Sequence, residues 1–226
     1  MRVRRNKDVT QEDLNSIFSN LLVLEAGFLK ECKIFISIGG ENCNGNVHTQ
    51  DLFISGIVNR AISLIHGFLL LAKDNNYISA VPLIRIQLDN CLRFYASTLV
   101  TDYDEFFMKY LNGEHIGNLK DASGKRMTDT YLAKHIEKNV LPGTLNLYRN
   151  TSGHIHLSNE HSFLQTEIVQ ESDRTIRTKI GKMDFFEIDK KVDYSFNMFV
   201  ATDLLLKLVS SWKYQKLKIE SKRKGT

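Results

Sequence analysis

The chain has 226 residues, of which 42% are apolar and 25% are charged, the balance of a folded domain rather than of a disordered segment. One hydrophobic core, and therefore one domain over residues 1–226, is expected at this length. The net charge of +4 lies at the two ends, because residues 1–7 contribute +4 and residues 213–224 contribute +5, which leaves the body near −5. The basic total therefore gives little support for a nucleic-acid surface on the body of the domain.

The apolar and cysteine patterns predict a cytoplasmic protein that does not enter a membrane. The most apolar stretch, Ile62 to Ala72, is interrupted by His66 and is too short to cross a bilayer. The basic N-terminus leads into acidic residues rather than into the apolar core of a signal peptide. Three unevenly spaced cysteines predict reduced thiols instead of a disulfide framework or a zinc site: Cys32, Cys43 and Cys91.

Apolar residues at helical spacing predict three long helices in the first hundred residues. The first helix is expected to begin at Thr10, with Asp13 as a weak form of capping box, and to end near residue 38. The second should run from Thr49 to about residue 72. The third should span about 78–100, where Pro82 is tolerable only near the first turn.

The remaining chain predicts shorter helices, a hairpin and one long final helix. Short helices are expected over 102–111, over 128–138 and again after Pro142, with a surface loop at 112–125. Two strands within 163–181 predict a β-hairpin, and the final helix should span about 194–216 or continue into the basic tail. The predicted fold is therefore all-α, a helical bundle with a small β-hairpin insertion before its last helix.

Residues 147–158 hold the most polar cluster within a helical pattern, Leu-Tyr-Arg-Asn-Thr-Ser-Gly-His-Ile-His-Leu-Ser. On a continuous helix Arg149 and His156, seven residues apart, would lie nearly on one face. His154 would be rotated from Arg149 by about 140°. A long arginine side chain could still approach either imidazole, and the geometry favours His156.

These residues resemble a known family. Arg149-Asn-x-x-x-His154 is similar to the arginine–x4-to-6–histidine signature of HEPN domains, in which an asparagine such as Asn150 often follows the arginine. Tyr148-x-x-x-Ser152-x-x-x-His156 resembles the corresponding helix of a group of bacterial HEPN-like proteins. That group often has an arginine and a carboxylate four residues apart on a preceding helix, and Arg85 and Asp89 form such a pair here.

The resemblance implies a metal-independent RNA endonuclease that needs no cofactor. A histidine would move the proton of the attacking ribose 2′-hydroxyl, and an arginine would hold the phosphate oxygens. The family implies that two protomers bring these groups together across a homodimer interface. It also implies a toxin or phage-defence setting, with a cognate antitoxin or defence partner.

Other interpretations of the same residues remain open. Many HEPN-like domains act as non-catalytic dimerisation or partner-binding modules. His154, His156 and His161 could bind a metal if they lay on a strand, although two histidines at i and i+2 diverge on a helix. Arg85, Asp89 and Arg93 form either an i,i+4 salt-bridge ladder or a set of groups that orient the catalytic helix or contact phosphate. The basic run 213–224 could contact RNA or be solvated.

Overall fold

A computed structural model describes residues 9–39, 46–154, 166–170, 175–178, 180 and 186–224. These residues are predominantly helical, which confirms the predicted helical class. The elements are α1 (Gln11–Ser37), α2 (Thr49–Lys73), α3 (Tyr77–Ser97), α4 (Tyr103–Leu111), a 3-10 turn (Ile116–Asn118), α5 (Asp129–Asn139), α6 (Thr144–Ser152), β1 (Thr166–Gln170), β2 (Thr175–Thr178) and α7 (Ile188–Lys224).

The long helices build one continuous core. Helix α7 packs along both α1 and α3, and α2 packs mainly on α3. The largest fully buried side chains come from all four long helices, and include Phe28, Phe68, Phe94 and Trp212. Helix α2 is long and apolar enough to cross a membrane by length and composition alone, but it also contributes a buried face to this core.

Helix α1 begins as predicted. Thr10 adopts an extended conformation as the N-cap, and its hydroxyl accepts a hydrogen bond from the backbone N–H of Asp13 at 3.3 Å. The Asp13 carboxylate in turn accepts one from the Thr10 backbone N–H at 2.8 Å. The capping box therefore forms with aspartate in the place where glutamate is usual.

A buried ion pair joins the start of α2 to the end of α7. The Asp51 carboxylate accepts hydrogen bonds from the Lys216 ammonium at 2.7 Å and from the Trp212 indole N–H at 2.6 Å. The same ammonium donates to the backbone carbonyl of Phe35 in α1 at 2.7 Å. Part of the basic C-terminal run thus lies inside the fold, and α7 continues into the basic tail, the longer of the two predicted ends, while it begins at Ile188 rather than near residue 194.

Two local predictions differ from the structure in detail, and the predicted pairing of two strands is confirmed. Pro82 is the sixth residue of α3 rather than a first-turn residue. The loop 112–125 is packed rather than purely superficial, because Ile116 and Leu119 are buried. Strands β1 and β2 pair antiparallel, with Thr166 opposite Thr178, and the rest of the predicted 163–181 insertion lies outside the described residues, except for Ile180.

Candidate functional site

The N-terminus of α6 is fixed by a carboxylate from α5. Gly143 occupies the N-cap with a φ of 96°, a left-handed conformation that favours glycine. Glu137 accepts hydrogen bonds from the backbone N–H groups of Gly143 and Leu145, both at 2.9 Å. These bonds hold the pKa of Glu137 below its usual value. A negative charge at this end also complements the helix dipole.

The side of α6 is held by a stacked arginine. The guanidinium of Arg85 lies 4.3 Å from the centre of the Tyr148 ring, a cation–π contact between α3 and α6. Arg85 is also anchored to Asp129, the first residue of α5, at 3.1 Å. Of the α3 residues that the sequence singled out, Arg85 therefore contacts α6 directly.

Arg85 and Asp129 belong to a larger arginine–aspartate chain, defined here as Arg60, Asp89, Arg93, Asp129 and Arg85. The Asp89 carboxylate forms salt bridges with Arg60 at 3.1 Å and with Arg93 at 2.7 Å. The Asp129 carboxylate forms one with Arg93 at 2.7 Å. The predicted i,i+4 ladder is thus formed between Asp89 and Arg93, while Arg85 pairs across helices. Alternation of sign lets five charged groups share a partly buried interface without a net accumulation of like charge.

The predicted site residues on α6 face different surroundings. Arg149 and Asn150 are exposed, and Asn150 lines a groove of about 730 Å³ between α6 and α7. The Ser152 hydroxyl donates to the Tyr148 carbonyl at 2.7 Å, an ordinary bond within the helix. Tyr148 is half-buried under Arg85. Arg149 is therefore the charged group of α6 that is presented to solvent.

The two candidate histidines are not equivalent. His154 is 5% exposed, and its ring meets the Tyr194 ring of α7 edge-on at 5.6 Å. Helix α6 ends at Ser152. The argument that Arg149 and His156 share one helix face assumed a continuous helix, and it therefore no longer applies. His156 itself lies outside the described residues, as does His161. The choice between the two histidines stays a prediction.

Sequence reasoning missed three of the charged groups that position α6 and α3. Arg60 is 29 residues from its partner Asp89, and Asp129 is 36 residues from its partner Arg93. Pairs so far apart in the sequence leave no local signature. Glu137 had a local signal, since it lies only a few residues before Pro142 and Gly143. A carboxylate just before a glycine-capped helix is a candidate for capping that helix.

Metal and thiol chemistry have little support in the described part of the chain. No group of three or more histidine, cysteine, aspartate or glutamate side chains with metal-binding geometry occurs among the described residues. Burial is the main cause that raises the pKa of Cys32, to about 11, and burial also raises that of Cys91. Neither thiol is therefore suited to act as a nucleophile near neutral pH.

Comparison with known proteins identifies no relative: no family model, curated protein or solved structure is significantly similar to this chain.

Proposed function

We propose that this protein binds RNA and cleaves it without a metal ion, using Arg149 and a histidine that follows α6. The observation that carries the proposal is that contacts at the start and on the side of α6 fix its position. Glu137 caps its start, Arg85 stacks on Tyr148, and the adjacent Arg149 is left exposed. An arginine on a helix held in this way can meet a phosphate with little loss of conformational freedom.

Arg149 would stabilise the charge that develops on the phosphate oxygens during attack by the ribose 2′-hydroxyl. A guanidinium can donate two parallel hydrogen bonds to such a group. Arg85 and Asp129 would act on the site indirectly, by holding the tyrosine that precedes Arg149. Asn150 and Ser152 would support α6, Asn150 at the groove and Ser152 through its bond within the helix.

His156 is the better candidate for the proton transfer, although the reason is no longer helical spacing. His154 is almost fully buried against Tyr194, so a phosphate could reach its ring only if that packing were broken. A general acid or base must lie within hydrogen-bonding distance of the proton that it moves. Burial therefore argues against His154, even though Arg149-Asn-x-x-x-His154 has the commonest family spacing, and the resemblance to the bacterial HEPN-like group supports His156.

The test is cleavage of a labelled single-stranded RNA by the purified full chain in the presence of EDTA. His156→Ala should slow cleavage by about a hundredfold or more, the scale for a lost general acid or base. Arg149→Ala should have a similar effect, whereas His154→Ala should cost less if it remains folded. Arg126→Ala is the matched control, because Arg126 is also exposed but lies outside α6, in the segment before α5.

Each variant must keep the wild-type circular dichroism spectrum for the comparison to count. Equal activity of wild type, Arg149→Ala and His156→Ala would refute the proposed site. Cleavage that is abolished by EDTA and restored by zinc or manganese would favour a metal site instead. A wild type that cleaves neither RNA nor its DNA counterpart would leave the binding-module function as the remaining proposal.

A homodimerisation module is the second candidate function, and one surface favours it. On the outer face of α1, Leu22, Leu29 and Ile36 recur every seven residues and are 44%, 50% and 44% exposed. Apolar residues seven apart supply one of the two heptad positions that form a seam between two helices. A second copy of α1 offers the same stripe, as a two-fold symmetric interface requires.

Sedimentation at tens of micromolar tests this surface. The wild type should be a dimer, and Leu29→Glu should be a monomer because a charge would be buried at the seam. Leu70→Glu is the matched control, since Leu70 is 72% exposed on α2. A monomeric wild type, or a Leu29→Glu variant that still dimerises, would remove α1 as the interface.

A further inference from the structure

A cavity of about 370 Å³ opens at the Arg60 end of the arginine–aspartate chain. It lies between α2, α3, α4 and the segment that joins α4 to the 3-10 turn. Its volume falls within the range of about 300–1,000 Å³ that is usual for small-ligand sites. The cavity does not include Arg149 or any other residue of α6.

One wall of the cavity is apolar and aromatic. Phe53 and Ile57 of α2, Tyr110 of α4 and Ile116 of the 3-10 turn form this wall. The Phe53 and Tyr110 rings meet edge-on, with centroids 5.1 Å apart. Rings fixed in this way offer a rigid surface to a planar ligand.

The polar part of the lining is built around Arg60. Its Nη1 donates to Asp89 at 3.1 Å and to Asn90 at 2.8 Å, which fixes the orientation of the guanidinium. Its Nε and Nη2 donors have no partner among the described residues, and the side chain is 48% exposed. Asp89 is also paired with Arg93, so the carboxylate is neutralised from two sides. Arg60 therefore presents an oriented pair of donors suited to an anionic group.

His115 adds a polar group to the lining of the cavity. Its Nδ1 accepts a hydrogen bond from the backbone N–H of Gly117 at 3.1 Å, so in the neutral ring the proton lies on Nε2. A Cβ at Gly117 would come within 3.0 Å of the His115 ring, so glycine keeps this arrangement open. Glu114 also lines the cavity and would oppose a second negative charge on a ligand.

We propose that this cavity binds a planar heterocycle that bears a phosphate or carboxylate group, the chemistry of a nucleoside monophosphate. The ring lies against Tyr110 and Phe53, and the anionic group takes the Nε and Nη2 donors of Arg60. Two sources share this chemistry, a free nucleotide and a nucleotide within an RNA strand. The proposal goes beyond RNA cleavage, because the cavity needs neither Arg149 nor a histidine after α6.

Isothermal titration of the full chain tests the proposal with three probes: adenosine 5′-monophosphate, adenosine, and a single-stranded oligoadenylate of six nucleotides. Saturable binding of the monophosphate, at least tenfold tighter than adenosine, is expected for a free nucleotide. Binding of the oligonucleotide without the monophosphate assigns the site to a nucleotide within a strand. Absence of saturable binding for all three probes overturns the proposal.

Two variants assign any binding to this cavity. Arg60→Met should weaken binding at least tenfold, because it keeps most of the side-chain length and removes the donors. Gly56→Leu should block the cavity, since Gly56 lines it and a Cβ there meets no atom within 4 Å. Both variants should have a Tm close to that of the wild type. Wild-type affinity in both variants would place the ligand elsewhere and refute the site.

Arg149→Ala separates this proposal from the proposed cleavage. It should leave the affinity for adenosine 5′-monophosphate unchanged, since Arg149 does not line the cavity. Loss of that affinity in Arg149→Ala, with the folding of the variant intact, would contradict a separate site. Failure of RNA cleavage alone would not affect this result.

Discussion

Replacing Lys216 by methionine distinguishes a structural lysine from an RNA-binding one. Lys216 lies in the basic run near the C-terminus, yet its side chain is fully buried and its ammonium bonds to Asp51 and to the Phe35 carbonyl. Lys216→Met keeps the aliphatic volume and removes the charge. The Asp51 carboxylate would then remain buried without a cation.

The expected loss of stability follows from that geometry. Removing one partner of a buried pair typically costs about 3–5 kcal/mol. Asp51 would keep its bonds from the Trp212 indole and from the His48 backbone N–H, which favours the lower end, about 3 kcal/mol. For a domain of this size each kcal/mol lowers Tm by roughly 2–4 °C, so Tm should fall by about 6–12 °C.

Thermal and urea unfolding measure the effect, and two further variants control it. Lys218→Met, an exposed neighbour, should change the free energy of unfolding by less than about 0.5 kcal/mol. The double variant Asp51→Asn with Lys216→Met should regain at least about 1 kcal/mol, because no unpaired charge is left. A Lys216→Met protein that melts within 2 °C of the wild type would refute the reasoning.

Three further predictions concern the helix termini and α6. Thr10→Ala should lower the free energy of unfolding by about 1 kcal/mol in urea titrations, as loss of an N-cap does. Glu137→Gln should lower Tm at pH 7. The difference should vanish at acid pH, because a depressed folded pKa gives stability above the usual carboxyl pKa that is lost as pH falls through the folded value. Tyr148→Phe should retain most RNA cleavage and Tyr148→Leu should not, because phenylalanine keeps the ring under Arg85 and leucine does not.

The helical fold could be predicted because its signals are local. The Thr10 cap, the apolar spacing and the scarcity of proline all act within a few residues, and they gave the start of α1 correctly. The burial of Lys216 could not be predicted in this way. A lysine in a run of basic residues has the pattern of a solvated tail, and its partner Asp51 lies 165 residues away.

The helices that carry the candidate residues could be predicted, but the surroundings of those residues could not. The sequence placed Arg149 and Tyr148 on one helix and Arg85 on an earlier one, and the structure brings Arg85 onto the Tyr148 ring. The end of α6 at Ser152 was missed. Gly153 is a local signal for that end, since glycine commonly follows the last turn of a helix. The burial of His154 depends on Tyr194 of α7, which no local pattern indicates.

The arginine–aspartate chain gives a physical reason to connect the cavity with α6. Its five charges run from Arg60 at the cavity to Arg85 beneath Tyr148, and each aspartate is shared by two arginines. A ligand anion bound to Arg60 would weaken the Arg60–Asp89 salt bridge. The Asp89–Arg93 salt bridge would then become stronger. Arg93 shares Asp129 with Arg85, so the change would reach the contact that holds α6. Nucleotide binding and the Arg85–Tyr148 contact are thus expected to be linked energetically, with equal effect in both directions. The Arg149 side chain is not a member of the chain, so its replacement by alanine leaves this link in place.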